Sequence, residues 1–112
     1  MKRIKWELEE AVAIVDLYFR FERGTVSDLK SELSELSRIL NRRADMLGIV
    51  HDEKFRNLNG ITCVFQNVRY YATNGRRGLS AVGKLQRDTV SMYRNEPEKF
   101  NAILESFREK YC

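Results

Sequence analysis

The chain has 112 residues, of which 43% are hydrophobic and 32% charged, and its formal net charge is +4. This length and apolar content predict one folded domain spanning residues 1–112 and exclude a two-domain protein or a disordered chain. No apolar run approaches the roughly 20 residues of a membrane span, and no signal-peptide pattern follows the N-terminus. With only two cysteines, we expect reduced thiols in a cytoplasmic protein.

Apolar side chains recur at three- and four-residue spacing in five segments, which predicts helices. The first helix is expected over about 6–21 and is apolar around most of its circumference, so it should be central in the fold. The second is expected over about 27–47, with Thr25 or Ser27 as its N-cap. Gly48 is expected to end it.

The second half of the chain predicts three further helices. Residues 49–60 lack a helical period, and a third helix follows over about 61–72, with Asn59 as its expected N-cap. Its β-branched residues make a strand the competing structure, but the spacing favours a helix. A fourth helix is expected to extend to about residue 94, with Ser80 as its N-cap. Pro97 is expected to begin a fifth helix. The expected fold is therefore a compact all-α domain of about five helices.

Positive charge is concentrated in the middle of the chain. Residues 54–94 contain eight basic side chains and a single acidic one, Asp88, which gives this segment a net charge of +7. Most of the cations are arginines, whose planar guanidinium suits phosphate and guanine, while nearby amides and tyrosines can read or stack on bases. This pattern predicts binding of DNA, duplex or single-stranded. The expected contact residues are Arg56, Asn57, Asn59, Arg69, Arg76, Arg77, Lys84 and Arg87.

The basic segment is also compatible with roles that involve no nucleic acid. Its cations could instead meet an acidic surface on a protein partner, or pair with acidic residues elsewhere in the fold. Exposed tyrosines are also compatible with a homodimer, and Asn57 and Asn59 are typical turn and cap residues. The candidates for internal pairing lie on the second and fifth helices: Asp28, Glu32, Glu35, Glu98, Glu105 and Glu109.

Residues for catalysis are scarce. The single histidine, His51, stands beside Asp52 and Glu53, but adjacent loop residues rarely converge on one metal ion. Cys63 is expected to be a small core residue of the third helix, and Cys112 is terminal. Phosphate-binding glycine patterns are missing from the sequence. We therefore expect a non-catalytic protein that uses no metal or other cofactor.

Six short strings follow one another along residues 6–94. They are Trp6 with Glu9 and Glu10, DLYF at 16–19, ELSRILN at 35–41, FRNLNGI at 55–61, FQNVRY at 65–70 and GLS at 78–80. In this order they resemble the N-terminal module that precedes HNH nuclease domains in McrA-like, modification-dependent restriction endonucleases, the head domain of the ScoMcrA type. FRNLNGI is the most specific of these strings.

The resemblance implies a small helical module that contacts DNA or a neighbouring domain in a restriction or phage-defence setting. It does not imply cleavage, because the histidines and metal ligands of the HNH domain lie outside the module. A standalone copy would act in trans. The alternative function is a small interaction module or inhibitor, of the phage anti-defence type, that binds a nuclease or another defence protein.

The FRNLNGI string also has a physical interpretation. Phe55 is expected to anchor a connecting loop in the core, since burying a phenylalanine contributes about 1.5–3 kcal/mol. Arg56 would then be held at the loop surface. Gly60 is expected to supply a backbone conformation with positive φ. The string would thus form a rigid loop that carries one arginine.

Overall fold

The computed structural model describes residues 3–112, and within them the regular structure is entirely helical, as predicted. The five helices lie close to their expected positions. They are α1 (Leu8–Glu22), α2 (Leu29–Met46), α3 (Leu58–Ala72), α4 (Lys84–Asn95) and α5 (Pro97–Tyr111). Among the described residues, none of these helices combines the length and the apolar character needed to cross a membrane.

Helix α1 is the centre of the domain. Nine consecutive residues, from Glu10 to Tyr18, are buried, and α1 packs against each of the other four helices. A helix buried on every side must be covered all round, so this arrangement confirms the central position expected from its apolar circumference. The aromatic rings of Phe65 and Phe100 reach it from α3 and α5 and are almost completely buried.

The N-caps of α2 and α3 differ from those predicted. Asp28, rather than Thr25 or Ser27, caps α2, and its carboxylate accepts a hydrogen bond from the Ser31 amide at 3.1 Å. Asn57, rather than Asn59, caps α3. In both helices the cap is the residue whose side-chain oxygen reaches the amide three positions on, and each helix begins with the following residue.

Helix α4 begins later than predicted. Its N-cap is Gly83, and the expected cap Ser80 lies three residues before that cap. Between them, Ala81 has a φ of +70°, which is outside helical geometry. Just before Ser80, the Leu79 amide donates to the Gln66 carbonyl of α3 at 3.0 Å. The connection between α3 and α4, termed the 73–83 loop, is therefore longer than the sequence pattern indicated.

The end of α2 was predicted correctly. Gly48 adopts a φ of +71°, and the Ile49 amide donates to the Ala44 carbonyl at 2.9 Å. Together with the bond from the Gly48 amide to the Asp45 carbonyl, this is a Schellman motif, which satisfies carbonyls that the last turn leaves free. Pro97 is the first residue of α5, also as predicted.

Candidate nucleic-acid interface

The 73–83 loop folds back along the last two turns of α3. The Gly75 amide donates to the Tyr70 carbonyl at 2.8 Å, and the Leu79 amide donates to the Gln66 carbonyl at 3.0 Å. Between these two points, the Arg77 amide donates to the hydroxyl of Thr73 at 3.1 Å. Three backbone amides of the loop are thus held by α3 and its C-cap, which fixes the path of the loop.

Gly78 makes this close approach possible. A Cβ atom at position 78 would lie 2.2 Å from the Gln66 carbonyl oxygen and 2.8 Å from the Tyr70 amide nitrogen, distances that no side chain tolerates. Its φ of +90° is also one that residues with a side chain rarely adopt. Glycine is therefore required for the loop to lie on the helix.

The fixed loop displays Arg76 and Arg77, and both side chains are exposed. Arg69 lies beside them, because a Cβ on Gly78 would stand 3.2 Å from the Cβ of Arg69. Arg69 is partly exposed, and the central carbon of its guanidinium, Cζ, lies 5.5 Å from the ring centroid of Phe21. Three of the predicted contact arginines therefore share the C-terminal end of α3.

Helix α4 contributes three more cations. Lys84 forms an exposed ion pair with Asp88 at 2.6 Å. Arg87 is also exposed but forms no ion pair with a described residue. Arg94, which was not among the predicted contact residues, donates to the Ala72 carbonyl at 2.8 Å and lies 5.7 Å from the Phe19 ring centroid. The sequence placed Arg94 in the basic segment, but no pattern in it indicated that its side chain lies at the end of α3.

Most of the basic segment forms no ion pair within residues 3–112. Of its eight cations, only Arg56 and Lys84 lie within 4 Å of a carboxylate oxygen in the described structure. The acidic residues of α2 and α5 do not supply partners either: Glu35 pairs with Arg38 on its own helix. Pairing inside the fold therefore does not account for the charge of this segment. The cations without a carboxylate partner among the described residues are Lys54, Arg69, Arg76, Arg77, Arg87 and Arg94.

Arg56 is placed differently from the prediction. Its side chain is only 8% exposed. Its guanidinium forms two hydrogen bonds with the carboxylate of Glu10, in which Nε donates to Oε2 at 2.7 Å and Nη2 donates to Oε1 at 3.1 Å. The same guanidinium donates to the carbonyls of Ile4 and Lys5. The expected surface arginine is thus a buried clamp between α1, the N-terminal segment and the loop before α3.

The rings of Trp6 and Phe55 complete this clamp. The guanidinium carbon of Arg56 lies 4.8 Å from the Trp6 ring centroid and 4.3 Å from that of Phe55. Phe55 is itself buried, which confirms it as the anchor of the loop. The expected positive φ is found at Arg56, at +47°, and not at Gly60, which lies in α3 with ordinary helical geometry.

The loop backbone around Arg56 is fixed by α2. Ser37 donates its hydroxyl to the Arg56 carbonyl at 2.6 Å, and Asn41 donates its amide to the Phe55 carbonyl at 3.0 Å. The side-chain oxygen of Asn57 accepts the Gly60 amide at 2.8 Å as the cap of α3. Asn57 therefore has a structural role here, whereas Asn59 is exposed in the first turn of α3.

The tyrosines of the basic segment have different surroundings. Tyr93 stacks on Phe19 with ring centroids 3.9 Å apart, and its hydroxyl accepts a hydrogen bond from Arg23 at 2.9 Å. Tyr70 and Tyr71 are partly exposed and line a cleft at the end of α3, beside the 73–83 loop. Tyr70 and Tyr71 therefore offer aromatic surface beside the 73–83 loop, whereas Tyr93 is engaged with Phe19 and Arg23.

The residues considered for metal binding or thiol chemistry are dispersed. Cys63 is exposed on α3, so the expectation that it is a core residue is wrong. In residues 3–112, no three side chains of histidine, cysteine, aspartate or glutamate converge as a metal site would require. His51 is engaged locally, with Nε2 2.7 Å from the Asp45 carboxylate and Nδ1 2.9 Å from the Asp52 carbonyl oxygen.

These two acceptors favour the protonated imidazole. The backbone carbonyl of Asp52, followed by the carboxylate of Asp45, raises the pKa of His51 above its ordinary value. The pair should therefore stabilise the fold fully below the pKa of the unfolded chain, and this contribution should be lost as pH rises through the raised folded pKa. We expect an NMR titration of His51 to give a midpoint above about 6.5 and the Asp45→Asn variant to lower it. An unchanged midpoint in Asp45→Asn would contradict the pairing.

Comparison of the chain with protein-family models, with curated proteins and with solved structures gives no match.

Proposed function

We propose that this protein is a non-catalytic DNA-binding module that binds through the cations of α3, the 73–83 loop and α4. It would act in the cytoplasm, in the restriction or phage-defence setting that the resemblance to McrA-like head modules implies. The proposed contact residues are Arg69, Arg76, Arg77, Lys84, Arg87 and Arg94. Asn59, at the exposed start of α3, is kept as a candidate base contact, while Arg56 and Asn57 are assigned to the fold.

The observation that supports this function best is the set of arginines without carboxylate partners among the described residues. Elsewhere in residues 3–112, four of the seven arginines pair with a carboxylate, as in Arg43 with Glu9 at 2.6 Å and Arg20 with Asp16 at 2.9 Å. Arginines that have no internal partner can meet phosphate groups without first breaking an ion pair. Nearby phosphates would also release counterions on binding, which supplies much of the affinity for DNA.

The fixed loop is a second support. Arg76 and Arg77 stand on a backbone whose neighbouring amides, those of Gly75, Arg77 and Leu79, are already hydrogen-bonded. Ordering a mobile loop would weaken binding, because its conformational entropy would be lost on association. A loop that is held before binding avoids this loss and suits the positioning of phosphate contacts.

Fluorescence anisotropy with labelled DNA over a series of salt concentrations tests the proposal. We expect the affinity to fall steeply with salt, with a log–log slope of about −0.9 for each phosphate contact on duplex DNA. Absence of binding to both duplex and single-stranded DNA at low salt would overturn the proposal. A salt-resistant stoichiometric complex with an acidic protein, without DNA binding, would instead favour the interaction-module alternative.

The double substitution Arg76→Glu with Arg77→Glu should weaken binding to every DNA sequence and reduce the magnitude of the salt slope by about two. The matched control is Lys30→Glu with Lys99→Glu, which changes net charge equally at exposed positions on α2 and α5. We expect the control to retain most of the affinity. Equal losses in both double variants would mean that only the net charge matters, which would contradict a binding surface on the 73–83 loop.

A further inference from the structure

We propose that the cleft beside the 73–83 loop binds an unpaired nucleobase, which makes single-stranded nucleic acid the preferred ligand. The cleft has a volume of about 340 Å³ and is lined by Tyr70, Tyr71, Asn74, Gly75 and Arg94. This inference rests on the proposed function and deepens it, since it adds recognition of bases to the contacts with phosphates.

The cleft is built where α3 ends. Asn74 and Gly75 have φ values of +55° and +83°, so the chain turns sharply over the last turn of the helix. The backbone amide of Asn74 donates to the Tyr71 carbonyl at 3.2 Å, and the backbone amide of Gly75 donates to the Tyr70 carbonyl. A Cβ at position 75 would lie 3.3 Å from Cζ of Tyr70, so glycine leaves room for that ring to lie close against the loop.

Arg94 of α4 also lines the cleft. Its bond to the Ala72 carbonyl and its position over Phe19 hold the guanidinium in place at the end of α3. A guanidinium has five N–H donors, so the bond to Ala72 leaves others for a ligand. This group is therefore already oriented when a ligand enters.

The lining chemistry matches a nucleobase with its phosphate. Every base has a π-face that can stack on tyrosine, as in sequence-tolerant single-strand binding. The side-chain amide of Asn74 has both a donor and an acceptor for the edge of a base. The volume is within the range of about 300–1,000 Å³ typical of small-ligand sites. Bases stacked inside a duplex cannot enter such a cleft, whereas bases of a single strand can.

Charge around the cleft favours the same ligand. The cleft opens beside the loop that carries Arg76 and Arg77, and residues 54–87 contain no acidic side chain. Phosphates that flank an inserted base would therefore meet arginines and no carboxylate from this part of the chain. A neutral or cationic aromatic ligand would gain no attraction between opposite charges from these arginines.

The test compares three ligands of equal length by fluorescence anisotropy: oligothymidylate, a strand of abasic sites, and a duplex. We expect the wild type to bind oligothymidylate about tenfold more tightly than the abasic strand, which has the same backbone charge. The duplex should also bind more weakly than oligothymidylate. Equal affinity for oligothymidylate and the abasic strand, or tighter binding of the duplex, would overturn the inference but leave the proposed function standing.

Three variants assign the preference to the cleft. Tyr70→Leu should remove most of the difference between oligothymidylate and the abasic strand, while Tyr70→Phe should retain it. Asn74→Gly is a second probe that keeps the left-handed backbone and removes only the amide, so it should reduce the difference without unfolding the chain.

The same variants separate the two proposals. Affinity for the abasic strand should be unchanged in all three, and thermal melting should confirm that each is folded. If Tyr70→Leu and Asn74→Gly both keep the full base preference, the cleft is not the site and the inference fails. If the wild type binds none of the three ligands, the proposed function fails with it.

Discussion

Replacing Arg56 with alanine is expected to lower the free energy of unfolding by about 3–5 kcal/mol, because it leaves a buried carboxylate without its main partner. Glu10 is only 1% exposed, and its nearest remaining cation would be Arg43, whose Nη1 lies 3.8 Å away. The substitution also removes the hydrogen bonds that Arg56 donates to the carbonyls of Ile4 and Lys5. Urea unfolding followed by circular dichroism measures the loss.

The matched control is Arg38→Ala on α2. Arg38 also pairs with a glutamate, Glu35, but the two side chains are 56% and 49% exposed. Water and salt screen an exposed ion pair, so this variant should be close to the wild type in stability. A loss below about 1 kcal/mol in Arg56→Ala would contradict the description of Arg56 as a buried clamp.

The double variant Arg56→Met with Glu10→Leu gives a further check. Since it removes both charges together, it should be more stable than Arg56→Ala, in which one charge is left alone. DNA binding provides an independent readout of the role of Arg56. At a temperature where Arg56→Ala is folded, its salt slope should equal that of the wild type, because a buried guanidinium contacts no phosphate. If the salt slope of Arg56→Ala were smaller in magnitude than that of the wild type by about one, Arg56 would contact a phosphate and the buried assignment would be wrong.

Arg56 illustrates what the sequence alone could and could not predict about the site. The segment from 54 to 87 contains no acid, and this local pattern favoured Arg56 as a contact residue at the surface, with internal pairing as an alternative that involved only α2 and α5. For Arg69, Arg76 and Arg77 the structure finds no carboxylate partner among the described residues. The partner of Arg56 is 46 residues away on α1, and only the packing of the loop against α1 brings them together.

The fold was more predictable than the site because helical periodicity depends on neighbours a few residues apart. The continuous apolar character of residues 11–15 correctly placed α1 in the centre. Helix starts were less predictable. Ser80 has the right chemistry for a cap. However, the side-chain amide of Asn67 on α3 donates to the Ser80 carbonyl at 2.8 Å when its nitrogen is assigned toward the loop, the orientation in which both ends of this amide find partners. A tertiary contact thus displaced the start of α4 to Lys84.

The cleft had only a partial signal in the sequence. Adjacent tyrosines at 70 and 71 indicated that one ring would be exposed, and both prove to be partly exposed. The presence of Arg94 in the lining of the cleft depends on how α4 packs against the end of α3, which no local sequence pattern indicates. The requirement for glycine at position 78 is likewise a consequence of the loop lying on α3.

Gly78→Ala should therefore be the most damaging small substitution at the proposed interface. A Cβ placed 2.2 Å from a helix carbonyl oxygen cannot be relieved by a rotamer change, because both groups belong to the backbone. We expect the 73–83 loop to separate from α3, with loss of the bond between Leu79 and Gln66. The free energy of unfolding should fall by about 2–4 kcal/mol, from the left-handed backbone and the steric overlap together.

Gly48→Ala is the matched control for this substitution. Gly48 has a similar φ of +71°, but a Cβ there would meet no atom within 4 Å. Its expected cost is therefore about 1–2 kcal/mol, from the backbone conformation alone. Because Gly48 ends α2 and lies outside the 73–83 loop, Gly48→Ala should bind DNA as the wild type does.

Gly78→Ala should in addition bind DNA more weakly than Gly48→Ala at a temperature where both are folded. Both variants keep every cation of the chain, so a difference in affinity between them measures the effect of holding Arg76 and Arg77 in place. A released loop must be ordered again on binding, and the entropy lost then opposes association. If the two variants bind equally well, the charges of the loop act without a fixed geometry, and the contribution assigned to the hydrogen-bonded loop would be wrong.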